Sequence, residues 1–178
     1  MSDEVYSGSY PFGNDEFETY RGLVAWRELT QTLLGARDAL RLECLIGEIC
    51  LMDAPRKPQV YILLGGPRTG KTSLIHIVYK VIWSFYYNVF EDFEDKDIIE
   101  WFDVGIKIGD WYILGSNNTY YRLLPNLPKD RQTYALDMTG ETFIQSDYDS
   151  MVEAIEDDLG VIAGYCRSMY LFLKKEAK

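Results

Sequence analysis

The chain has 178 residues, 47% hydrophobic and 26% charged, a composition typical of a globular protein and unlike that of disordered or fibrous chains. Its 18 Lys and Arg against 28 Asp and Glu give a formal net charge of −10. That charge disfavours general binding to nucleic acid or anionic membranes, so any DNA contact must be local. The three cysteines form no CxxC pair, which argues against a disulfide framework or a structural zinc site. Because the start is acidic and the longest apolar tract is interrupted, we expect an intracellular protein, cytoplasmic or nuclear, with no membrane segment.

The amino-terminal third predicts a mobile segment followed by a helical hairpin. Residues 1–14 carry Gly, Ser, Pro and Asn without periodicity. Two amphipathic patterns follow, one over 15–34 and one over 36–52, and Gly35 separates them. Two prolines end the second pattern. We therefore expect a helical extension over 15–56.

The middle of the chain predicts an α/β core over residues 57–145. The run 59–64 is short, apolar and partly β-branched, as in a buried central strand. It leads through a glycine-rich loop into an apolar helix that begins at about Lys71. Further strands are expected at three places, which are 97–103, 111–114 and 133–138. Strands that alternate with helices indicate a mostly parallel sheet.

The carboxyl-terminal part predicts a helical segment over 146–178. Its apolar residues recur at helical spacing from about residue 148 onwards. Because glycine lowers helix propensity, interruptions are expected around Gly160 and Gly164. One or two helices therefore close the predicted fold.

The loop between the central strand and the helix carries the most specific chemical signal. Gly65-x-x-x-x-Gly70-Lys71-Thr72 matches the phosphate-binding loop pattern in its required context, after a strand and before a helix. Glycines let successive backbone N–H groups point at a β-phosphate, and the helix N-terminus adds partial positive charge. The Lys71 ammonium would neutralise the β- and γ-oxygens, and the Thr72 hydroxyl would complete the shell of a bridging Mg²⁺. The residues expected to bind a nucleoside triphosphate are Gly65, Gly66, Pro67, Arg68, Thr69, Gly70, Lys71 and Thr72.

Hydrolysis also requires an acidic residue that holds the magnesium shell, and two segments compete for this role. Glu91 and Asp92 follow an apolar run, but they lie so close behind Lys71 that the helix would consume much of the interval. Asp103 leaves room for the helix and a return loop, although Glu100 interrupts its apolar run. We favour Asp103 and keep Glu91 and Asp92 as alternative catalytic residues. The other interpretation of Glu91 and Asp92 is that they only solvate a loop.

Two further polar groups are candidates for work at the γ-phosphate. Asn117 follows the predicted strand 111–114, and an amide at such a strand end can orient a water molecule. Arg122 and Arg131 lie further on, and a guanidinium that enters a neighbour's site can stabilise charge on the γ-phosphate. The alternative interpretation of Asn117 is a residue in a polar turn, and that of Arg122 and Arg131 is an ordinary surface position.

The order of these features resembles that of superfamily 3 helicases, the AAA-like ATPases of viral and plasmid replication proteins. The resembling parts are the helix at 42–52, the strand and loop at 60–72, the strand that ends at Asn117, the Arg131 segment and the closing helices at 153–170. The resemblance implies an AAA-like P-loop NTPase core, with Asn117 as sensor and Arg131 as a finger acting on the next subunit. It also implies ATP hydrolysis with Mg²⁺ by a homo-oligomeric ring on single-stranded or duplex DNA.

Two other functions stay open at this point. A small-molecule kinase shares the loop and is often near this length, but no arginine-rich lid or acceptor-binding sequence is evident. A non-catalytic nucleotide-binding switch or assembly subunit fits the lack of an unambiguous acidic strand. A GTPase is disfavoured because neither DxxG nor NKxD follows the loop. The leading hypothesis is an ATP-binding hydrolase, the ATPase domain of a replication-type DNA helicase.

Overall fold

Helices at both ends of the chain and a five-stranded sheet form the computed structural model, which describes residues 20–90, 98–117 and 126–177. The elements are α1 (Arg21–Cys50), β1 (Gln59–Leu64), α2 (Lys71–Val89), β2 (Ile99–Phe102), β3 (Gly105–Ile108), β4 (Trp111–Ser116), β5 (Gln132–Asp137), α3 (Gln145–Asp157) and α4 (Leu159–Glu176). The expected α/β class is confirmed. The predicted mobile segment at 1–14 lies outside the described residues. None of the helices in these three ranges combines the length and the apolar character of a membrane span.

The strands form one mixed sheet in the order β2-β3-β4-β1-β5. The central strand β1 pairs in parallel with β4 and with β5. By contrast, β3 pairs antiparallel with both β2 and β4. The expectation of a mostly parallel sheet is therefore wrong, because the sheet is mixed, and β3 was not predicted. The physical reason is that two-residue turns join β2 to β3 and β3 to β4, which reverses the chain without a crossover helix.

Helix α1 is sharply kinked at Gly35, whose φ of 77° and ψ of 161° are non-helical. The predicted break is confirmed, but one residue is too short to fold one helix back on another, so a kinked helix replaces the expected hairpin. Near the kink, the carbonyl of Thr32 accepts a hydrogen bond from the Thr139 hydroxyl at 2.6 Å. The carbonyl of Leu33 accepts another from the Thr139 backbone N–H at 2.8 Å. The chain after β5 is thereby fastened to α1.

One main hydrophobic core lies on the face of the sheet that the helices cover. All four described helices contribute to it, and Trp26, Tyr86 and Tyr165 are among its largest fully buried side chains. A smaller cluster occupies the other face of the sheet; its buried members are Val60, Ile62, Tyr112 and Leu114. Because α2 packs in the main core, the loop before it is held between the helical layer and the edge of the sheet.

The two carboxyl-terminal helices meet at Asp158, two residues before Gly160, whereas the interruption expected around Gly164 is wrong. Gly160 and Gly164 both continue α4, and a Cβ added at either would meet no atom within 4 Å. The carboxylate of Asp158 accepts a hydrogen bond of 2.7 Å from the backbone N–H of Gly22, in the first turn of α1. This contact satisfies a helix N-terminal donor that has no partner within its own helix.

Glu43 of α1 is a buried carboxyl group with 3% exposure. Burial raises its pKa from the ordinary value of 4.5 to about 7, although the charge of Arg27 and a hydrogen bond from Tyr165 act in the opposite direction. The folded chain therefore binds this proton more tightly than the unfolded chain does. For such a group, stability falls as the pH rises between the two pKa values and levels off above the higher one.

We expect the free energy of unfolding to fall by about 2 kcal/mol between roughly pH 5.5 and pH 8 because of Glu43. The substitution Glu43→Gln should remove this fall, since an amide does not titrate. Urea unfolding at the two pH values measures the difference. Glu153→Gln, at an exposed position of α3, is the control and should keep the wild-type pH dependence. An equal fall in wild type and Glu43→Gln would contradict the assignment.

Candidate nucleotide-binding site

The loop between β1 and α2 is tightly curled. Gly70 precedes α2 with a left-handed φ of 88°, and Arg68 is also left-handed, with a φ of 61°. A side chain at Gly65 would not fit, because an added Cβ would lie 2.8 Å from Thr69 Oγ1 and 2.9 Å from Met138 Cβ. The glycines of the motif are thus required by the backbone geometry and by the closeness of the chain after β5.

The side chain of Lys71 lies inside this curl. Its Nζ donates hydrogen bonds to the carbonyl oxygens of Gly65 at 2.6 Å and Gly66 at 2.5 Å, and to Thr69 Oγ1 at 3.2 Å. Partial burial lowers the pKa of Lys71 from its ordinary value. These three partners are neutral oxygens, so an incoming polyphosphate would supply the negative charge that they lack.

The parallel strands place polar residues at the same edge of the sheet as this loop. The register sets the last residue of β1, Leu64, opposite Ser116 of β4 on one side and Asp137 of β5 on the other. Asn117 directly follows Ser116 and therefore lies at this edge, as its proposed action at the γ-phosphate requires. Ligands of open α/β sheets bind at such an edge, beyond the carboxyl ends of the strands.

Asp103 also reaches this edge, although the sheet is not parallel throughout. It lies exposed in the turn between β2 and β3. Beside it, the carbonyl of Val104 accepts a hydrogen bond of 2.7 Å from the N–H of Gly115, near the end of β4. At a strand spacing of about 4.8 Å, the turn lies roughly 10 to 14 Å from β1. The two alternative acids, Glu91 and Asp92, lie outside the described residues.

Arg131 lies at the opposite edge. It immediately precedes β5, whose six residues run from Gln132 to Asp137 and span about 20 Å. Arg131 is exposed and donates from Nη1 to the carbonyl of Pro128 at 2.7 Å. The structure therefore does not bring Arg131 to the loop of its own chain. Arg122 lies outside the described residues.

Asp137 is a carboxylate at the site that was not predicted as a site residue. It ends β5, one strand spacing of about 4.8 Å from β1, and it is exposed. Its backbone N–H donates to Asp38 Oδ2 of α1 at 3.1 Å. The sequence signal was present, since Asp137 follows the run Tyr134-Ala135-Leu136. In the described ranges, no three His, Cys, Asp or Glu side chains converge as a closed metal site would require.

A cavity of about 230 Å³ opens beside the loop. Its walls include loop residues 68–70, Ser73 of α2 and Leu33 at the kink of α1. The segment 141–148 closes the far side and brings in the rings of Phe143 and Tyr148. Sequence reasoning missed this cavity because its walls come from three distant parts of the chain.

Comparison with protein-family models, with curated protein sequences and with solved structures gave no match for this chain. The proposed function therefore rests on the geometry of the loop and of the sheet edge.

Proposed function

We propose that the chain binds ATP with Mg²⁺ at residues 65–72 and hydrolyses it, as the ATPase domain of a replication-type helicase of superfamily 3. The observation that carries the proposal is the Lys71 ammonium enclosed by a curled loop at the carboxyl end of β1. This strand has a parallel neighbour on each side, and the chain places β4 on one side of it and β5 on the other. Such a switch point is where open α/β sheets bind nucleotides.

The residues at this edge fit a hydrated magnesium ion that arrives with the phosphates. Mg²⁺ in such sites takes few protein oxygens and keeps several water molecules. Thr72 is exposed in the first turn of α2, and Asp103 and Asp137 are exposed at the same edge. A Cβ added to Gly115 would lie 3.4 Å from Lys71 Cβ, so the lysine runs along β4. Because the β2–β3 turn is on that side, Asp103 stays our first choice for the magnesium shell and Asp137 is the second.

Arg131 fits a role in the site of a second copy. The amino edge of β1 and β5 carries four exposed cations, Arg56, Lys57, Lys129 and Arg131, against two exposed acids, Asp110 and Asp130, of which Asp130 pairs with Lys57. The carboxyl edge carries three exposed acids, Asp103, Asp137 and Glu141, against one exposed cation, Arg68. Opposite charges on opposite edges favour head-to-tail association, and such contacts close into rings when the rotation permits. DNA would then meet a few positive side chains gathered at the axis of the homo-oligomer, in spite of the net charge of −10.

Titration calorimetry of the folded full chain with ATP and Mg²⁺ tests the nucleotide site, and phosphate release with and without single-stranded DNA tests the ATPase. Heat of binding and DNA-stimulated release are expected. Binding without turnover at concentrations where copies associate would replace the ATPase by a nucleotide-binding switch. Transfer of phosphate to a nucleoside would replace it by a kinase. No heat with ATP or GTP would overturn the nucleotide site itself.

For Arg131→Ala we expect unchanged ATP affinity and a loss of turnover of about a thousandfold, since an arginine that acts on a neighbouring site stabilises only the transition state. Turnover per copy should also rise with chain concentration in the wild type. The control is Lys129→Ala, which removes a neighbouring exposed cation and should leave turnover within about twofold. Normal turnover by Arg131→Ala in the associated state would contradict the role.

A further inference from the structure

The cavity beside the loop is too small for a whole nucleotide and large enough for part of one. Its volume of about 230 Å³ lies below the roughly 300 Å³ at which sites for drug-sized ligands begin. Such a space can hold a nucleobase with part of its sugar, while a triphosphate must lie outside. Arg68, Thr69 and Gly70 of the loop line the cavity together with Ser73, so the cavity adjoins the phosphate position.

The orientation of a bound triphosphate follows from the groups that lie on each side of the loop. The Lys71 side chain runs along Gly115 of β4, which sets the γ-phosphate end on the β4 side. The cavity lies on the other side, where Leu33 of α1 comes within 3.5 Å of a Cβ placed on Gly70. A chain of phosphates that begins at Lys71 therefore leads its α-phosphate and sugar towards Ser73 and into the cavity.

The cavity walls away from the loop offer stacking surface, the hydroxyls of Thr142 and Tyr148, and two side chains with acceptor oxygens, Glu141 and Gln145. Phe143 and Tyr148 are both half-buried against the main core, and aromatic rings of this kind stack on nucleobases. The carboxylate of Glu141 accepts hydrogen bonds. The side chain of Gln145 donates from Nε2 to Asp149 Oδ1 at 2.8 Å, which leaves its oxygen as a further acceptor. Acceptors of this kind pair with an exocyclic amino group.

We propose that this cavity is the nucleobase site and that it selects bases with an exocyclic amino group, such as adenine, over bases that present a carbonyl in its place. The proposal rests on the proposed function, because it takes the triphosphate to lie on residues 65–72. It adds which part of the chain reads the base and by what chemistry, and it assigns this task to the segment 141–148 that links β5 to α3.

The experiment compares three ligands with Mg²⁺ by titration calorimetry of the full chain: ATP, inosine triphosphate and inorganic tripolyphosphate. We expect ATP to bind about tenfold or more tightly than tripolyphosphate, which lacks a base to stack. We expect inosine triphosphate, whose carbonyl replaces the amino group of adenine, to bind about fivefold or more weakly than ATP. The variant Tyr148→Ala should bring the affinity for ATP down towards that for tripolyphosphate and leave tripolyphosphate binding unchanged.

Tripolyphosphate binding shows that each variant is folded, and Phe143→Leu provides a second, milder change. Tyr87→Ala is the control, since this exposed ring of α2 stacks on Trp83, outside the cavity. Equal affinities for ATP and tripolyphosphate would overturn the base site while the phosphate loop stands. Equal affinities for ATP and inosine triphosphate would overturn the selection of amino groups. Binding of none of the three would overturn the proposed function and this inference together.

Discussion

Alanine in place of Lys71 is expected to lower the affinity for Mg²⁺·ATP by about a hundredfold or more. The ammonium group lies within hydrogen-bond distance of two loop carbonyls and of Thr69, and it provides the positive charge inside the curl. Its removal leaves the phosphates with backbone N–H groups, the helix N-terminus and the Mg²⁺ that arrives with them. Titration calorimetry with ATP and Mg²⁺ measures the loss directly.

Lys80→Ala is a matched control on the same helix. Lys80 forms an exposed ion pair with Glu156, and such pairs contribute little to stability. We expect this variant to bind ATP as the wild type does. The unfolding midpoints of both variants should be compared, so that a loss of binding is separated from a loss of folding. Wild-type affinity in folded Lys71→Ala would show that the loop does not hold the phosphates.

The substitution Gly47→Ala is expected to destabilise the fold by about 3 kcal/mol or more. At this position α1 and α4 approach so closely that an added Cβ would lie 2.7 Å from Tyr170 Cβ and 2.8 Å from the carbonyl carbon of Cys166. Because both of these neighbours are backbone or Cβ atoms, a rotamer change cannot make room. The two helices must separate, and buried side chains such as Ile46 would lose contacts.

Gly164→Ala on α4 is the matched control for this clash. An added Cβ at Gly164 would meet no atom within 4 Å. Alanine there should stabilise the fold by about 0.5 to 1 kcal/mol, because it raises helix propensity and restricts the unfolded chain. Urea unfolding of both variants gives the two free energies. Similar effects of the two substitutions would contradict the close approach of α1 and α4 at Gly47.

The sequence predicted the elements whose signals are local. The break at Gly35, the strand β1, the loop and the start of α2 all follow from residues next to one another. The strand β3 was missed because its four residues are too few to show a period and its pairing is decided by neighbours on both sides. Helix α4 continues through Gly160 and Gly164, since burial of its apolar face outweighs a glycine penalty of about 1 kcal/mol each.

The site was predictable only where the motif fixes it. Residues 65–72 are brought together by their own spacing, and Asn117 reaches the same edge because β4 is parallel to β1. The nearness of Asp137 depends on which strand flanks β1 on its other side, and the sequence does not state that order. The sequence likewise leaves open the direction of β2, which decides that Asp103 reaches this edge.

Within one chain, Lys71 lies beyond the carboxyl end of β1 and Arg131 lies before the amino end of β5, so the length of a strand separates them. If the proposed function holds, no single copy has a complete site, because the Lys71 ammonium that binds the phosphates and the Arg131 guanidinium that stabilises the transition state come from different copies. In dilute solution the rate of ATP hydrolysis would depend on the association of copies. The total rate would therefore rise more steeply than in proportion to the chain concentration. At low concentration such a chain would hydrolyse little ATP even without an inhibitor, because its own concentration sets the rate of hydrolysis per copy.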